Sequence, residues 1–166
     1  KGGQVALDTE IYRIEAMSKV DIRVPKIIAK EVGWILLEDL GLSVIEEMKA
    51  NRTNIPLIRH YFKICLNGIK QVHLKKQYLS QGFVRNIVKI KDSEEVGFID
   101  FEDDPIQVLS LEQAQARDLL LFVNSTARFF VKDEEFFNQQ IHEFVKGHNQ
   151  QVIDYIKETK IGRAHV

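Results

Sequence analysis

Cysteine is almost absent from this sequence, because Cys65 is the single one in the chain. One cysteine excludes both a disulfide framework and a metal site built from several thiolates. Cys65 also falls within an apolar helical pattern, which is typical of a buried thiol. A chain of this kind suits a reducing compartment, so we expect a cytoplasmic protein.

Long apolar runs and an excess of one charge are also lacking. No stretch approaches the roughly 20 apolar residues that a membrane-spanning helix needs, and no basic and apolar leader opens the chain. Lysine and arginine number 23, and aspartate and glutamate number 24, which leaves a formal net charge of -1. This balance predicts neither a nucleic-acid partner nor an acidic membrane surface. Partners therefore have to be inferred from a specific site.

Both ends of the chain are interpreted separately from the fold. The sequence starts at Lys1 without a methionine and enters an amphipathic pattern almost at once, which suggests an upstream part. Residues 161–166 read Ile-Gly-Arg-Ala-His-Val, the peptide expected from a translated sequencing adapter. We therefore expect residues 161–166 to be a non-native tail and exclude them from the fold.

Hydrophobic periodicity predicts a mixed α+β fold. Apolar residues at helical spacing predict helices over 5–20, 42–50, 57–76 and 112–130, with one or two more over 133–159 that break near Gly147. Short apolar runs around turn residues predict hairpins over 26–38 and 87–99. The long helix over 57–76 has a wide apolar face and should be central to the core.

The segment from His73 to Asp100 carries the residues that point to chemistry. His73 lies at the end of the long predicted helix, Asn86 precedes the second hairpin, and Asp100 follows its last strand. A carboxylate and an amide oxygen at hairpin ends are the hard ligands that Mg²⁺ prefers. Asp100 taken alone is typical of an ordinary solvated turn, and its spacing to Asn86 favours a ligand.

This segment resembles the catalytic segment of protein-kinase-like phosphotransferases, particularly the atypical bacterial ones. Those include lipopolysaccharide-core sugar kinases, aminoglycoside and choline phosphotransferases, RIO kinases and the small kinase of the tRNA threonylcarbamoylation complex. In that family a histidine at a helix end precedes a catalytic aspartate and then a metal-binding asparagine. His73 and Asn86 match the outer positions, and Asp100-Phe101-Glu102 matches the metal-binding element that other members write Asp-Phe-Gly. The resemblance therefore implies Asn86 and Asp100 as the metal ligands.

The resemblance implies ATP and Mg²⁺ as cofactors and a nucleotide site upstream of the catalytic segment. Glu38, Asp39 and Leu40 follow a predicted strand and would form the hinge that meets the adenine edge. The acceptor of the phosphoryl group would be a hydroxyl of a sugar, a lipopolysaccharide core, a small molecule or a protein. Neither nucleic acid nor a membrane span is expected.

Two further helices acquire roles from the same resemblance. The helix over 5–20 would be helix C, whose glutamate pairs with a phosphate-binding lysine. Glu15 is our candidate for that glutamate, with Glu10 as the alternative. The helix over 112–130 would be helix F, whose aspartate, here Asp118, caps backbone N–H groups of the catalytic loop.

Gln81 is the departure from the family pattern, because it stands at the position of the catalytic aspartate. An amide has no basic lone pair with which to accept the proton of a substrate hydroxyl. Gln81 could still orient a hydroxyl by hydrogen bonding. It is therefore the one catalytic candidate, and the substitution leaves two outcomes open, a phosphotransferase and a degenerate pseudokinase.

The resemblance also implies a division of the chain. Residues 1–41 would be a partial N-lobe with helix C, a hairpin and the hinge, and residues 42–160 would be the helical C-lobe. A glycine-rich loop and the lysine partner of helix C would lie upstream. The functional alternatives are a phosphotransferase, a pseudokinase that binds nucleotide or regulates, and a helical interaction protein without a nucleotide site.

Overall fold

The computed structural model describes residues 3–159, which form a mixed α+β fold with two small antiparallel sheets. The elements are, in order, α1 (Gln4–Lys19), β1 (Ile27–Glu31), β2 (Trp34–Leu37), α2 (Val44–Ala50), α3 (Ile55–Leu74), β3 (Ile87–Lys89), β4 (Val96–Phe98), α4 (Leu111–Thr126), α5 (Glu134–Lys146) and α6 (Gln150–Glu158). The predicted α+β class is confirmed. The proposed tail, residues 161–166, lies outside the described residues.

Helix α3 is the centre of the core, as its apolar face predicts. Its Phe62 side chain is fully buried and lies between 4.8 and 5.4 Å from the rings of Phe122, Phe130 and Phe137. These aromatic contacts join α3 to α4, to the 3-10 turn after α4, and to α5. Within residues 3–159, no helix combines the length and apolar character that crossing a membrane requires.

The second hairpin, β3 and β4, packs on α3, and this packing fixes the position of the two hairpin ends. Strand β3 pairs with β4 so that Ile87 faces Phe98, and the Ile99 N–H donates to the Asn86 carbonyl at 3.0 Å. The hairpin can approach closely because Gly68 of α3 has no side chain; a Cβ there would lie 2.3 Å from Val96. Asn86 and the residue after Ile99 therefore leave the hairpin at the same end.

The first hairpin is joined to the second by the segment before β1. The Phe98 N–H donates to the Arg23 carbonyl at 3.0 Å, which places this segment beside β4. The Arg23 guanidinium then pairs with both carboxylate oxygens of Glu38, at 3.0 and 3.1 Å. Through these contacts the chain after β2 lies close to the end of β4.

Candidate functional site

A cavity of about 260 Å³ lies where α1, the segment after β2 and the segment after β4 meet. Its lining is apolar on most sides and acidic at one edge, and consists of Glu10, Ile14, Pro25, Leu37, Glu38, Asp39, Leu40, Gly41, Val88, Ile99, Asp100 and Phe101. The fold thus brings the three predicted hinge residues and Asp100 to one cavity. Glu15, Gln81 and Asn86 are outside this lining.

The three residues predicted as a hinge, Glu38, Asp39 and Leu40, offer the cavity backbone rather than side-chain groups. The Glu38 carboxylate accepts hydrogen bonds from the Arg23 guanidinium and the Lys26 N–H, and these two partners lower the pKa of Glu38. The Asp39 carboxylate accepts from the Gly41 N–H at 2.9 Å. By contrast, the N–H groups of Asp39 and Leu40 have no hydrogen-bond partner among residues 3–159. Such backbone donors beside a cavity suit a ligand with acceptor atoms.

Asn86 is oriented by the loop that precedes it. Its side chain is buried, and Nδ2 donates to the Gln81 carbonyl at 3.1 Å. The Oδ1 atom has no hydrogen-bond donor within the described part of the chain. An amide held by its nitrogen in this way keeps its oxygen available for a ligand.

Asp100 adopts a left-handed backbone conformation, with φ of 70°. Aspartate tolerates this region better than most residues, but the conformation is uncommon and often marks functional positions. The ladder contact between Asn86 and Ile99 puts Asp100 next to the Asn86 backbone. The two predicted ligands thus emerge at one end of the hairpin.

The carboxylates of Glu10, Asp100 and Glu102 lie close together, with oxygen atoms within 4.8 Å of one another. Burial raises the pKa of Glu10, and the charges of Glu102 and Asp100 add to the increase. A hydrogen bond of 3.2 Å from the Phe101 N–H to Glu10 Oε2 acts in the opposite direction. A cation near these groups would relieve their repulsion.

Glu10, rather than Glu15, is the α1 glutamate that reaches the cavity. Glu10 is in phase with the buried residues Ile14 and Met17, at steps of four and seven positions along the helix. Glu15 lies on another side of α1, where its half-exposed carboxylate is 3.7 Å from Lys30 Nζ. The burial of Ile14 and Met17, on the same side of α1 as Glu10, distinguishes the two glutamates.

The loop before Asn86 is held in place by contacts with α4. Asp118 is fully buried, and its Oδ2 accepts from the Leu79 N–H at 2.9 Å and lies 2.8 Å from His73 Nε2. Asp118 therefore caps one N–H group of this loop, and its assignment to a helix F stays a prediction. Burial raises the pKa of Asp118, while the contacts with His73 and Leu79 act in the opposite direction. A Cβ on Gly82 would lie 2.3 Å from the Asp118 carbonyl oxygen, so loop and helix are in direct contact.

Arg13 ties α1 to the same loop, a contact that the sequence analysis missed. Its buried guanidinium lies 3.7 Å from the centre of the Tyr78 ring and donates through Nη2 to the Tyr78 carbonyl. Burial lowers the pKa of Arg13. The Tyr78 hydroxyl donates in turn to Asp104 Oδ1 at 2.5 Å. Three segments distant in sequence are thereby held together.

A second, larger cavity of about 500 Å³ adjoins the acidic segment after Phe101. It lies between the start of α1 and residues 102–109 and is lined by Val5, Ala6, Thr9, Glu102, Asp103, Asp104, Pro105, Gln107, Val108, Leu109 and Arg117. Both cavities are thus bordered by α1 and by the chain that follows β4. Gln81 connects to this region, because its Nε2 donates to Asp103 Oδ2 at 3.0 Å.

Comparison with known proteins adds no assignment. No protein-family model matches this sequence, and no curated protein matches it significantly. The arrangement of the side chains is therefore the basis on which a function can be argued.

Proposed function

We propose that this chain adopts a protein-kinase-like fold and acts as an ATP- and Mg²⁺-dependent phosphotransferase on a hydroxyl acceptor. The observation that carries the proposal is that the Glu38–Leu40 segment and Asp100 line one cavity, with Asn86 beside Asp100 in the hairpin. In this assignment α1 is helix C, α3 ends at the catalytic segment and α4 is helix F. The acceptor hydroxyl would belong to a sugar, a lipopolysaccharide core, a small molecule or a protein.

The apolar cavity fits the base of a nucleotide. Leu37, Leu40 and Val88 offer an apolar lining, and the N–H groups of Asp39 and Leu40 can donate to ring nitrogens. A volume of about 260 Å³ is below the roughly 300–1,000 Å³ of cavities that enclose whole ligands. We therefore assign the adenine to the cavity and the triphosphate to its acidic edge.

The acidic edge fits a hard cation. Asp100 supplies a carboxylate and Asn86 supplies Oδ1, the oxygen types that Mg²⁺ binds, while Glu10 adds negative charge nearby. Bound there, Mg²⁺ would neutralise phosphate charge during transfer of the terminal phosphoryl group. Glu10 takes the helix C position in this assignment, because Glu15 faces Lys30 instead.

A pseudokinase is the second candidate, and Gln81 is the observation that favours it. A general base contributes typically about a hundredfold to ten-thousandfold to a rate, and a glutamine cannot act as one. In that case the cavity would still bind Mg·ATP, and the protein would serve as a nucleotide-binding or regulatory module.

Mg·ATP binding tests the proposal. We expect saturating Mg·ATP to raise the melting temperature of the complete protein. At a hundred times the Kd, the bound ligand should add about 2.7 kcal/mol to the free energy of unfolding. Asp100→Asn should abolish most of the increase, because the amide removes the charge that attracts the cation. Asp92→Asn is the matched control, since Asp92 also has a positive φ, of 57°, but lies in the turn between β3 and β4.

The outcomes separate the candidates. Release of ADP in addition to the thermal shift supports the phosphotransferase, and a shift without ADP release supports the pseudokinase. If Mg·ATP causes no shift in the wild type, the nucleotide site is refuted and a helical interaction protein becomes the better interpretation. Equal loss of the shift in the two variants would refute the role of Asp100.

A further inference from the structure

The side chain of Gln81 is bonded to a carboxylate from another segment, although Gln81 itself stands where the proposed reaction needs an aspartate. Gln81 Nε2 donates a hydrogen bond of 3.0 Å to Oδ2 of Asp103, which lies 22 positions further along the sequence. This contact forms because the chain after β4 passes beside the loop that contains Gln81. A carboxylate is thus present at this position, but it comes from a different part of the chain.

Gln81 is well placed to orient that carboxylate. Its backbone carbonyl accepts from Asn86 Nδ2 at 3.1 Å, and the neighbouring Gly82 is packed directly against the α4 backbone at Asp118. Backbone movement is therefore restricted at Gln81 and at the residue that follows it. A side-chain amide on such a backbone can hold its acceptor in a defined direction, as a positioning residue must.

Asp103 also faces the space through which an acceptor could approach. It lines the larger cavity, of about 500 Å³, together with Thr9 and Arg117. The preceding residues of the same segment, Asp100 and Phe101, line the smaller cavity that we assign to the nucleotide base. One short segment thus borders both cavities, and an acceptor could enter the larger one without displacing the nucleotide.

We propose that Asp103 supplies the carboxylate that receives the acceptor hydroxyl, and that Gln81 holds Asp103 in position. This inference rests on the proposed function, with ATP as the phosphoryl donor. The hydroxyl oxygen forms a bond to the γ-phosphorus, and the bond from that phosphorus to the β–γ bridging oxygen breaks. ADP leaves with the electron pair of the broken bond, and the hydroxyl proton passes to the Asp103 carboxylate. Asp103 is the catalytic residue in this scheme, and Gln81 acts through it.

The test uses the complete protein with Mg·ATP as the probe and water as the phosphoryl acceptor, and it follows ADP release. Asp103→Asn should lower kcat by about a hundredfold to ten-thousandfold. The KM for Mg·ATP and the rise in melting temperature that Mg·ATP causes should stay at wild-type values. Asp92→Asn makes the same chemical change in the turn between β3 and β4 and should leave all three quantities unchanged.

Moving the carboxylate from position 103 to position 81 distinguishes a catalytic role of Asp103 from a purely structural one. In the Asp103→Asn background, Gln81→Asp returns a carboxylate to the loop and should recover at least about tenfold in kcat. A residue that only supported the loop would not be replaced in this way. Independently of turnover, the stability losses of Gln81→Ala and Asp103→Ala should be less than additive in the double variant, because the shared hydrogen bond is lost only once.

The inference is overturned if Asp103→Asn retains kcat within about twofold of the wild type while Mg·ATP still binds. It is also overturned if the wild type binds Mg·ATP without releasing ADP, since no base then operates. In both cases nucleotide binding survives. Absence of a Mg·ATP thermal shift in the wild type is a different result, because it removes the proposed function itself and this inference with it.

Discussion

At the scale of single residues, His148 shows how burial and a second imidazole act on one ring. His148 Nδ1 lies 3.1 Å from the Phe144 carbonyl and must donate to it, so Nε2 is the acceptor of the 2.7 Å contact with His73 Nδ1. Burial, and then the charge of His73, lower the pKa of His148 to about 4. Lys70 lowers it further, whereas the Phe144 carbonyl acts in the opposite direction.

This pKa predicts a loss of stability in acid. The unfolded chain protonates His148 near pH 6.5, whereas the folded chain does so only near pH 4. Between these values the unfolded state binds more protons, so the free energy of unfolding falls as the pH is lowered and the contribution is complete above pH 6.5. Urea unfolding at a series of pH values between 6.5 and 4 should show a smaller fall in the free energy of unfolding for His148→Gln than for the wild type. Equal falls in both proteins would contradict the assignment.

At the scale of elements, the position of α1 depends on one buried guanidinium. Arg13 stacks on Tyr78 and bonds to its carbonyl, and Tyr78 in turn bonds to Asp104. The cavity edge also depends on α1, because Glu10 projects from it toward Asp100. Packing at Arg13 therefore helps to hold the α1 carboxylate near the hairpin end, together with the hydrogen bond from the Phe101 N–H to Glu10.

Arg13→Lys should loosen α1 without unfolding the core. Lysine keeps the charge but loses the planar group that stacks and donates, and an unsatisfied buried carbonyl costs about 1–3 kcal/mol. We expect backbone amides of α1 to exchange with solvent about tenfold faster or more, while those of α4 stay protected. Arg59→Lys is the matched control, because the Arg59 guanidinium also lies over an aromatic ring, 4.6 Å from the centre of Phe136, but pairs with Asp133 on the surface. Faster exchange in α1 in both variants, or in neither, would contradict this role.

At the scale of the whole molecule, the smaller cavity exists only where three separate parts of the chain meet. Its walls come from α1, from the segment after β2 and from the segment after β4. Arg23 joins the latter two through Glu38 and the backbone of Phe98. A ligand that fills this cavity therefore contacts all three parts together.

Mg·ATP should slow amide exchange in all three parts at once. The coupling follows from mass action, because the ligand binds only when the walls are assembled. Hydrogen exchange followed by mass spectrometry should show protection in α1, in residues 38–41 and in residues 99–101, with α5 unchanged. Protection confined to one of the three parts would place the ligand elsewhere.

Much of the architecture could be predicted from periodicity. The helix over 57–76 was expected to be central, and α3 is; the break expected near Gly147 separates α5 from α6. The reason is physical, since apolar spacing reports which face of an element is buried. The α1 glutamate that reaches the cavity could not be chosen from its distance along the chain, because that distance does not show which side of a helix faces a cavity. The sequence therefore favoured Glu15, whereas the structure places Glu10 there.

Long-range side-chain contacts could not be predicted. Gln81 and Asp103 are 22 positions apart and have no shared local pattern, and Arg13 and Tyr78 are separated by 65. Such pairs depend on how the connecting segments turn in space. The sequence left Gln81 either to orient a hydroxyl or to be a degenerate position, and it contained no sign of the hydrogen bond to Asp103.

The sequence by itself determined the helices, the hairpins and the placement of Asn86 and Asp100 at hairpin ends, because these follow from local periodicity and turn chemistry. Only the tertiary structure decided which α1 glutamate reaches the cavity, how Arg13 is buried and which carboxylate stands beside Gln81. Those features depend on packing between segments distant in the chain, and apolar periodicity carries no information on the partner of a polar side chain.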